Sequence, residues 1–391
     1  MVRTLDDVSG VRGHRSHFDT DSPPSRCWSN PLPPNHLGSC LPVSVTIFTN
    51  QEQEALSDKW TWARFLFGPA GMLGIWALWN QWPADVIGWQ IFWTLFAAYC
   101  MFCWTSCLHE TVHQTLTPRR ETSIWLGRVI GTLIFVPYTV YRESHIRHHA
   151  YLNKPHDWEL WPYSDPKASV GFRRCFAMFD LFLGMFGAIV TYGRLFFHKD
   201  SPLTDRKLRR TVWMEYAFCV LFWGSLFAVF TNTGTWEMFL RAWAIPHLIT
   251  GMIQSGRKFT EHIGMSSYDP MLGTRTVVGN NWFTRVCTWL NFDIFVHGPH
   301  HRHPRVAHRT LKEKMNEYLE QQPELQYPMF RTYSAAVWDM LPFLIKNPGV
   351  GMNAGAEAPD AEKKAAENFV ADVVEEVLSD QDRGRVPVTA G

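Results

Sequence analysis

Residues 86–113 read VIGWQIFWTLFAAYCMFCWTSCLHETVH, an apolar stretch that runs straight into a pair of histidines. Its apolar part, 86–108, is close to the roughly 20 residues a helix needs to cross a bilayer. The pair, His109-Glu110-Thr111-Val112-His113, has i/i+4 spacing and so shares one helix face. Two further clusters follow, His145-Ile146-Arg147-His148-His149 and His297-Gly298-Pro299-His300-His301. Each box is expected to present its rings as a unit. One ion takes about four such ligands, so eight imidazoles predict two metals.

The same alternation of apolar runs and polar breaks extends along the chain. Runs at 65–82 and 86–108, interrupted by Pro83-Ala84-Asp85, read as a helical hairpin that ends at the first box. Runs at 212–231 and 236–254 form a second hairpin around residues 231–235, and further runs occupy 124–141 and 176–197. The tight loops 83–85 and 231–235 contain no Lys or Arg. The segment between the hairpins carries Arg119, Arg120, Arg142, Arg147, Arg173, Arg174, Arg206, Lys207, Arg209 and Arg210, and Arg257 and Lys258 follow the second. The positive-inside rule makes the basic side, with all three boxes, cytoplasmic. The expectation is an all-α integral membrane protein with about four transmembrane helices in two hairpins, about two interfacial helices at 124–141 and 176–197, and a cytosolic cap built around the boxes. Residues 57–345 form this membrane domain. Residues 1–56 are a polar, disordered tail, and 346–391 an acidic tail rich in Ala and Gly, with helical periodicity over 361–378.

Composition agrees with one membrane domain rather than several soluble ones. Aromatic residues make up 15% of the chain, with 19 Trp and 27 Phe. The mean hydropathy of −0.16 is modest because polar ends dilute the apolar middle. A net charge of +1 argues neither for nor against nucleic acid, and no nucleic-acid partner is expected. The basic stretch 198–210 reads as a topology signal beside anionic lipid. Of the eight Cys, Cys100, Cys103 and Cys107 lie in the apolar run before the first box and read as packing residues. Cys27, Cys40, Cys175, Cys219 and Cys287 show no pairing pattern, so the protein is expected to be free of disulfides.

Neutral imidazole suits Fe, Zn, Cu and Ni alike. The number and setting of the histidines favour iron. Eight on one face of a membrane domain hold two ions with open positions, and such a pair can bind O2 and take hydrogen from an unactivated C–H bond. Zinc has no redox chemistry. His262, in Arg257-Lys258-Phe259-Thr260-Glu261-His262 after the last apolar run, is a candidate ninth ligand. His156, His247, His303 and His308 are weaker candidates, and His14, His17 and His36 fall in the polar tail. A ligating His normally donates its other N–H to an acceptor. Asp157, Glu159 and Glu261 are the carboxylates expected behind the ligands, with Glu110, Glu143 and Asp293 as further candidates.

The set HxxxH, HxxHH, HxxHH at 109–113, 145–149 and 297–301 resembles the membrane fatty acid desaturase superfamily, which also includes hydroxylases and ketolases. The resemblance extends to residues 153–159 and 257–262 and covers roughly residues 60–330. It implies four spanning helices beneath a cytosolic cap holding a non-haem di-iron centre, O2 as co-substrate, and an acyl-chain tunnel. It also implies a lipid or acyl-carrier substrate and electrons from ferredoxin or cytochrome b5. The third box departs from familiar acyl desaturases, with Gly298-Pro299 between ligands and extra residues after Asn291. No His-Pro-Gly-Gly haem motif occurs, so the donor is expected to be a separate protein.

Other readings stand beside this one. The first box is also HExxH, a zinc-protease pattern with Glu110 as base, but no Asp-Gly pair offers the third ligand and two boxes go unused. A metal transporter would place its ionisable groups near the bilayer midplane, whereas these boxes sit at the ends of apolar runs. Within the oxidase reading, desaturation of an acyl chain leads. Hydroxylation or oxidative decarboxylation of an acyl chain, alkane or other lipid is the alternative.

Overall fold

A computed structural model describes residues 59–79 and 86–357. The expected tails over 1–56 and 361–378, the turn at 83–85, and Cys27 and Cys40 lie outside the described residues. Among the described residues the fold is α-helical, apart from one two-residue parallel pairing of β1 (Thr276–Val277) with β2 (Met329–Phe330).

Helix α1 spans Lys59–Trp79 and α2 spans Ile87–His113. At about 1.5 Å per residue, the 27 residues of α2 measure ~40 Å, longer than a hydrocarbon core of about 30 Å. Helix α1 lies close along α2, because a Cβ on Gly71 would sit 2.3 Å from Cys100 Sγ. The described Cys residues are all free thiols.

Helix α3 (Arg120–Leu133) and α4 (Tyr138–Ala150) occupy the region expected to be one interfacial run at 124–141. The chain bends there by 108°. Phe135 takes a left-handed φ of 62° and Pro137 precedes α4, so the apolar run stops at Leu133 and the second box has a helix of its own. The run expected at 176–197 is likewise two helices, α5 (Val170–Phe182) and α6 (Gly184–Phe197), broken at Leu183.

Helix α7 (Arg206–Thr233) starts at Asp205, whose side chain accepts from Leu208 N, and stops at the left-handed Gly234. The expected span at 236–254 is a composite of α8 (Trp236–Phe239), a π-helical turn (Leu240–Ala244) and α9 (Ile245–His262). Pro246 has no N–H to give to the preceding turn, and a widened turn accommodates the missing bond. Helix α9 is the axis of the domain, packing on α2, α5, α6 and α13 (Tyr333–Lys346). Thr250 Oγ1 donates across to Ala98 O in α2 at 2.9 Å. Gly184 and Gly251 let α6 approach, since a Cβ on Gly184 would lie 2.4 Å from Gly251 O.

Among the described residues two helices, α2 and α7, are long and apolar enough to cross a membrane, or three if the bent α3–α4 pair counts as one span. The protein is thus built as an integral membrane protein. Exposed Phe218, Val220 and Leu221 on α7 suit a lipid contact.

The remaining helices, α10 (Trp282–Leu290), α11 (His297–Arg302) and α12 (Leu311–Gln321), close over the end of α9. The packed chain runs past 346: Val350 is buried, and Gly351 N donates to Met265 O at 2.9 Å.

Candidate metal centre

Each box reaches the centre by a different route. His109 and His113 occupy the last turn of α2, the second box the end of α4, and His262 the last residue of α9. The third box sits on the six-residue α11. Gly298 N donates to Thr276 Oγ1 at 2.9 Å, and a Cβ on Gly298 would meet that same oxygen at 2.9 Å. The unusual Gly-Pro is therefore a close-packed helix start, with Pro299 in the first turn where a missing N–H costs little.

The rings assemble into two groups rather than one per box. His109, His113, His145, His149 and His300 bring their ligand atoms within 4.8 Å of one another, as do His148, His262 and His301. His297 joins the second group, its Nε2 3.0 Å from His262 Nε2 and 3.1 Å from His301 Nε2. The expectation that each box acts as a unit is corrected. In both HxxHH boxes the i/i+4 pair faces one group and the i+3 histidine, rotated about 60° from i and about 100° from i+4, faces the other. His149 and His301 stack at 4.1 Å where the groups meet.

The donor set fits two ions. His113 and His149 Nε2 each lie 3.1 Å from His145 Nε2. Two nitrogens bound to one ion at about 2.1 Å and at right angles lie ~3.0 Å apart. His109 Nε2 and His300 Nε2 are buried with no hydrogen-bond partner, an expensive state unless something takes the lone pair. Burial holds His297, His300 and His301 well below the usual imidazole range, so they are neutral donors at pH 7.

Two carboxylates lie behind rings of the clusters. Asp157 Oδ2 lies 2.8 Å from His148 Nδ1, and Glu159 Oε2 lies 3.1 Å from His145 Nδ1. Burial raises the Glu159 carboxyl, but the charge and hydrogen bond of His145 outweigh it and hold the group at about 2. Glu261 differs. Its Oε2 is 3.5 Å from His297 Nε2, on the side where the ligand atoms converge, and its Oε1 is buried and unbonded.

The sequence carries Glu110 as a further carboxylate candidate and His308 as a weak one, but no signal for Arg64 or Arg275. Glu110 Oε1 lies 3.3 Å from His109 Nδ1 and its Oε2 accepts from Thr115, so it backs a ring and is not placed as a protease base. His308, weakly placed by the sequence, is buried with Nε2 2.7 Å from Arg64 Nη2 and Nδ1 4.0 Å from Glu110. The Arg275 side chain, 1% exposed, donates to Ile263 O at 2.6 Å and Thr260 O at 3.2 Å, tying down the end of α9 that bears His262. A lone Arg in a loop carried no signal for that role. Of the other candidates, Glu143 pairs with Arg142 and Arg147, Asp293 with Lys312, and His303 with Tyr318. His156 is exposed, away from both groups.

A cavity opens beside the second group, lined by His145, His148, His262 and His297 at one end and by Ile134, Val136 and His247 at the other.

Residues 87–333 match the sequence profile described as fatty acid desaturase, which is well over half of the chain. The chain belongs to the fatty acid desaturase family. Together with the two histidine groups, membership makes it an O2-dependent oxidoreductase of the di-iron desaturase type. No curated protein matches the sequence. For this desaturase-family protein, the protease motif leaves out the seven clustered histidines other than His109 and His113, and Glu110 is turned toward its own His109.

Proposed function

We propose that the protein introduces a double bond into a fatty acyl chain. The carrying observation is the pair of converging histidine groups opening onto one cavity. His109, His113, His145, His149 and His300 hold one iron, and His148, His262, His297 and His301 the other. Bound there, the two irons supply the reduction of O2 and the removal of hydrogen from a methylene. The chain's own residues do the rest. Asp157 and Glu159 fix His148 and His145 in the tautomer that turns Nε2 inward, and Glu110 does the same for His109. The cavity holds the methylene beside the second group and excludes water.

In this reading α1, α2, α7 and the α8–α9 path are four spanning helices and both groups are cytoplasmic; the basic segment between the hairpins supports it. A separate ferredoxin or cytochrome b5 supplies electrons there, and the substrate is a membrane lipid or an acyl carrier.

The test is mass spectrometry of lipids from a host expressing wild type or His149→Ala. A product two mass units lighter, seen with wild type alone, is the expected result. A gain of one oxygen moves the protein to the hydroxylases. Unchanged turnover by His149→Ala, with full iron content, overturns the ligand assignment.

A further inference from the structure

The cavity wall is more polar than a plain alkyl chain requires. Helix α9 runs along it, contributing His247, Thr250, Gln254 and Lys258 at successive turns, with His262 at the metal end. The 15 residues from His247 to His262 span about 22 Å at ~1.5 Å per residue. Ile134, Val136 and Met185 are apolar lining on the opposing elements.

Several polar groups in this wall are left unsatisfied. The His247 side chain is 6% exposed, and its buried Nδ1 has no hydrogen-bond partner. Its ring sits against Phe135 at 5.8 Å and Trp243 at 6.2 Å. One end of the Gln254 amide takes the Thr105 hydroxyl at 3.2 Å, and among the described residues the other end has no protein partner. The Tyr141 side chain is 7% exposed, lines the same cavity one turn before His145, and its hydroxyl bonds to none of the described residues. Burying the His247 Nδ1 unpaired inside a membrane domain costs of the order of a few kcal/mol. A methyl-ended acyl tail would leave that cost standing at the far end of the cavity. A ligand oxygen would relieve it.

We infer that the cavity takes an oxygenated lipid: a long-chain molecule with a hydroxyl or carbonyl beyond the reacting carbon, received by Gln254 and His247. The inference rests on the reading of this cavity as the substrate site of the oxidase. Gln254 lies eight residues before His262, about 12 Å along the axis, and His247 lies deeper, so the two sense oxygens at different distances from the metals. The donor and acceptor pattern suits an alcohol, which can give its proton to one partner and accept from the other.

The experiment uses the full chain in nanodiscs, loaded with iron, and two radiolabelled probes: eicosanoic acid and its ω-hydroxy derivative. Equilibrium binding is measured for wild type, His247→Leu and Gln254→Leu, and desaturation is followed in parallel with a chemical reductant. Wild type is expected to bind the hydroxy acid about tenfold tighter, the worth of one well-made buried hydrogen bond. At least one variant should bring the ratio of the two affinities to within about twofold. Gln254→Leu keeps the test open should His247→Leu fail to fold. Equal binding of the two probes by wild type, or a ratio unchanged in both variants, overturns the inference even when the plain acid is desaturated. A hydroxy-acid preference with no conversion of either probe leaves the inference standing and sinks the desaturase reading. Binding of neither probe overturns the cavity as a lipid site.

Discussion

At the scale of single residues, the chemistry turns on which nitrogen of each imidazole faces inward. His148 is held by one short contact, the 2.8 Å approach of Asp157 Oδ2 to its Nδ1. Asp157→Asn keeps the size of the side chain and its reach toward Leu160 N at 3.2 Å, but loses the charge that orients the ring. Iron affinity, measured by titration of the metal-free protein, is expected to fall about 10–100-fold while the circular dichroism of the helices stays the same. Unchanged affinity would mean that His148 does not depend on this carboxylate. The histidine ligands themselves were legible as spacing, because HxxHH permits few arrangements on a helix. Arg64 and its contacts with Glu110 and His308 were not. They meet only because α1, α2 and the loop after α11 converge, with 244 residues of sequence between Arg64 and His308.

At the scale of elements, the close approach of α6 to α9 sets the width of the cavity. Gly184 and Gly251 make that approach possible, and a Cβ on Gly184 would overlap Gly251 O and Ser255 Oγ, both at 2.4 Å. Gly184→Ala is expected to destabilise the fold by about 1–3 kcal/mol through overpacking. A lowered midpoint of thermal unfolding in detergent is the readout, and an unshifted midpoint would show that the two helices can part at no cost. Hydropathy anticipated α2 and α7 well, since each is a long apolar run with few internal charges. It merged α3 with α4 and α5 with α6. Those breaks depend on local backbone at Phe135 and Leu183, where the residues remain apolar and the running average does not register a turn. The π turn before Pro246 belongs to the same class, a local adjustment inside an apolar stretch.

At the scale of the whole molecule, α2, α4, α9 and α11 each bring clustered histidines to a common point, so binding of the proposed ions would couple to folding. Chelation is expected to lower the unfolding midpoint, because an ion bound at 100 times its dissociation constant adds roughly 2.7 kcal/mol per site. Zinc should restore the midpoint without restoring turnover, since it fills the same nitrogen sites but carries no redox chemistry. An unfolding midpoint indifferent to chelator would argue that the four helices are held by packing alone. A midpoint restored by zinc together with activity would rule out a redox role for the metals.

Read along the chain alone, the protein is already a helical membrane protein, its three boxes stand at metal-ligand spacing, and its family is that of the fatty acid desaturases. These follow from composition, apolar run length and residue spacing, which are local properties of the chain. Only the tertiary structure decided how the two HxxHH boxes divide between the groups, that Glu261 faces inward, that Arg275 secures the end of α9, and that polar side chains line the cavity. Each of these depends on the relative placement of helices distant in sequence. That placement is set by packing, by close glycine contacts and by buried hydrogen bonds, none of which leaves a periodic trace along the chain.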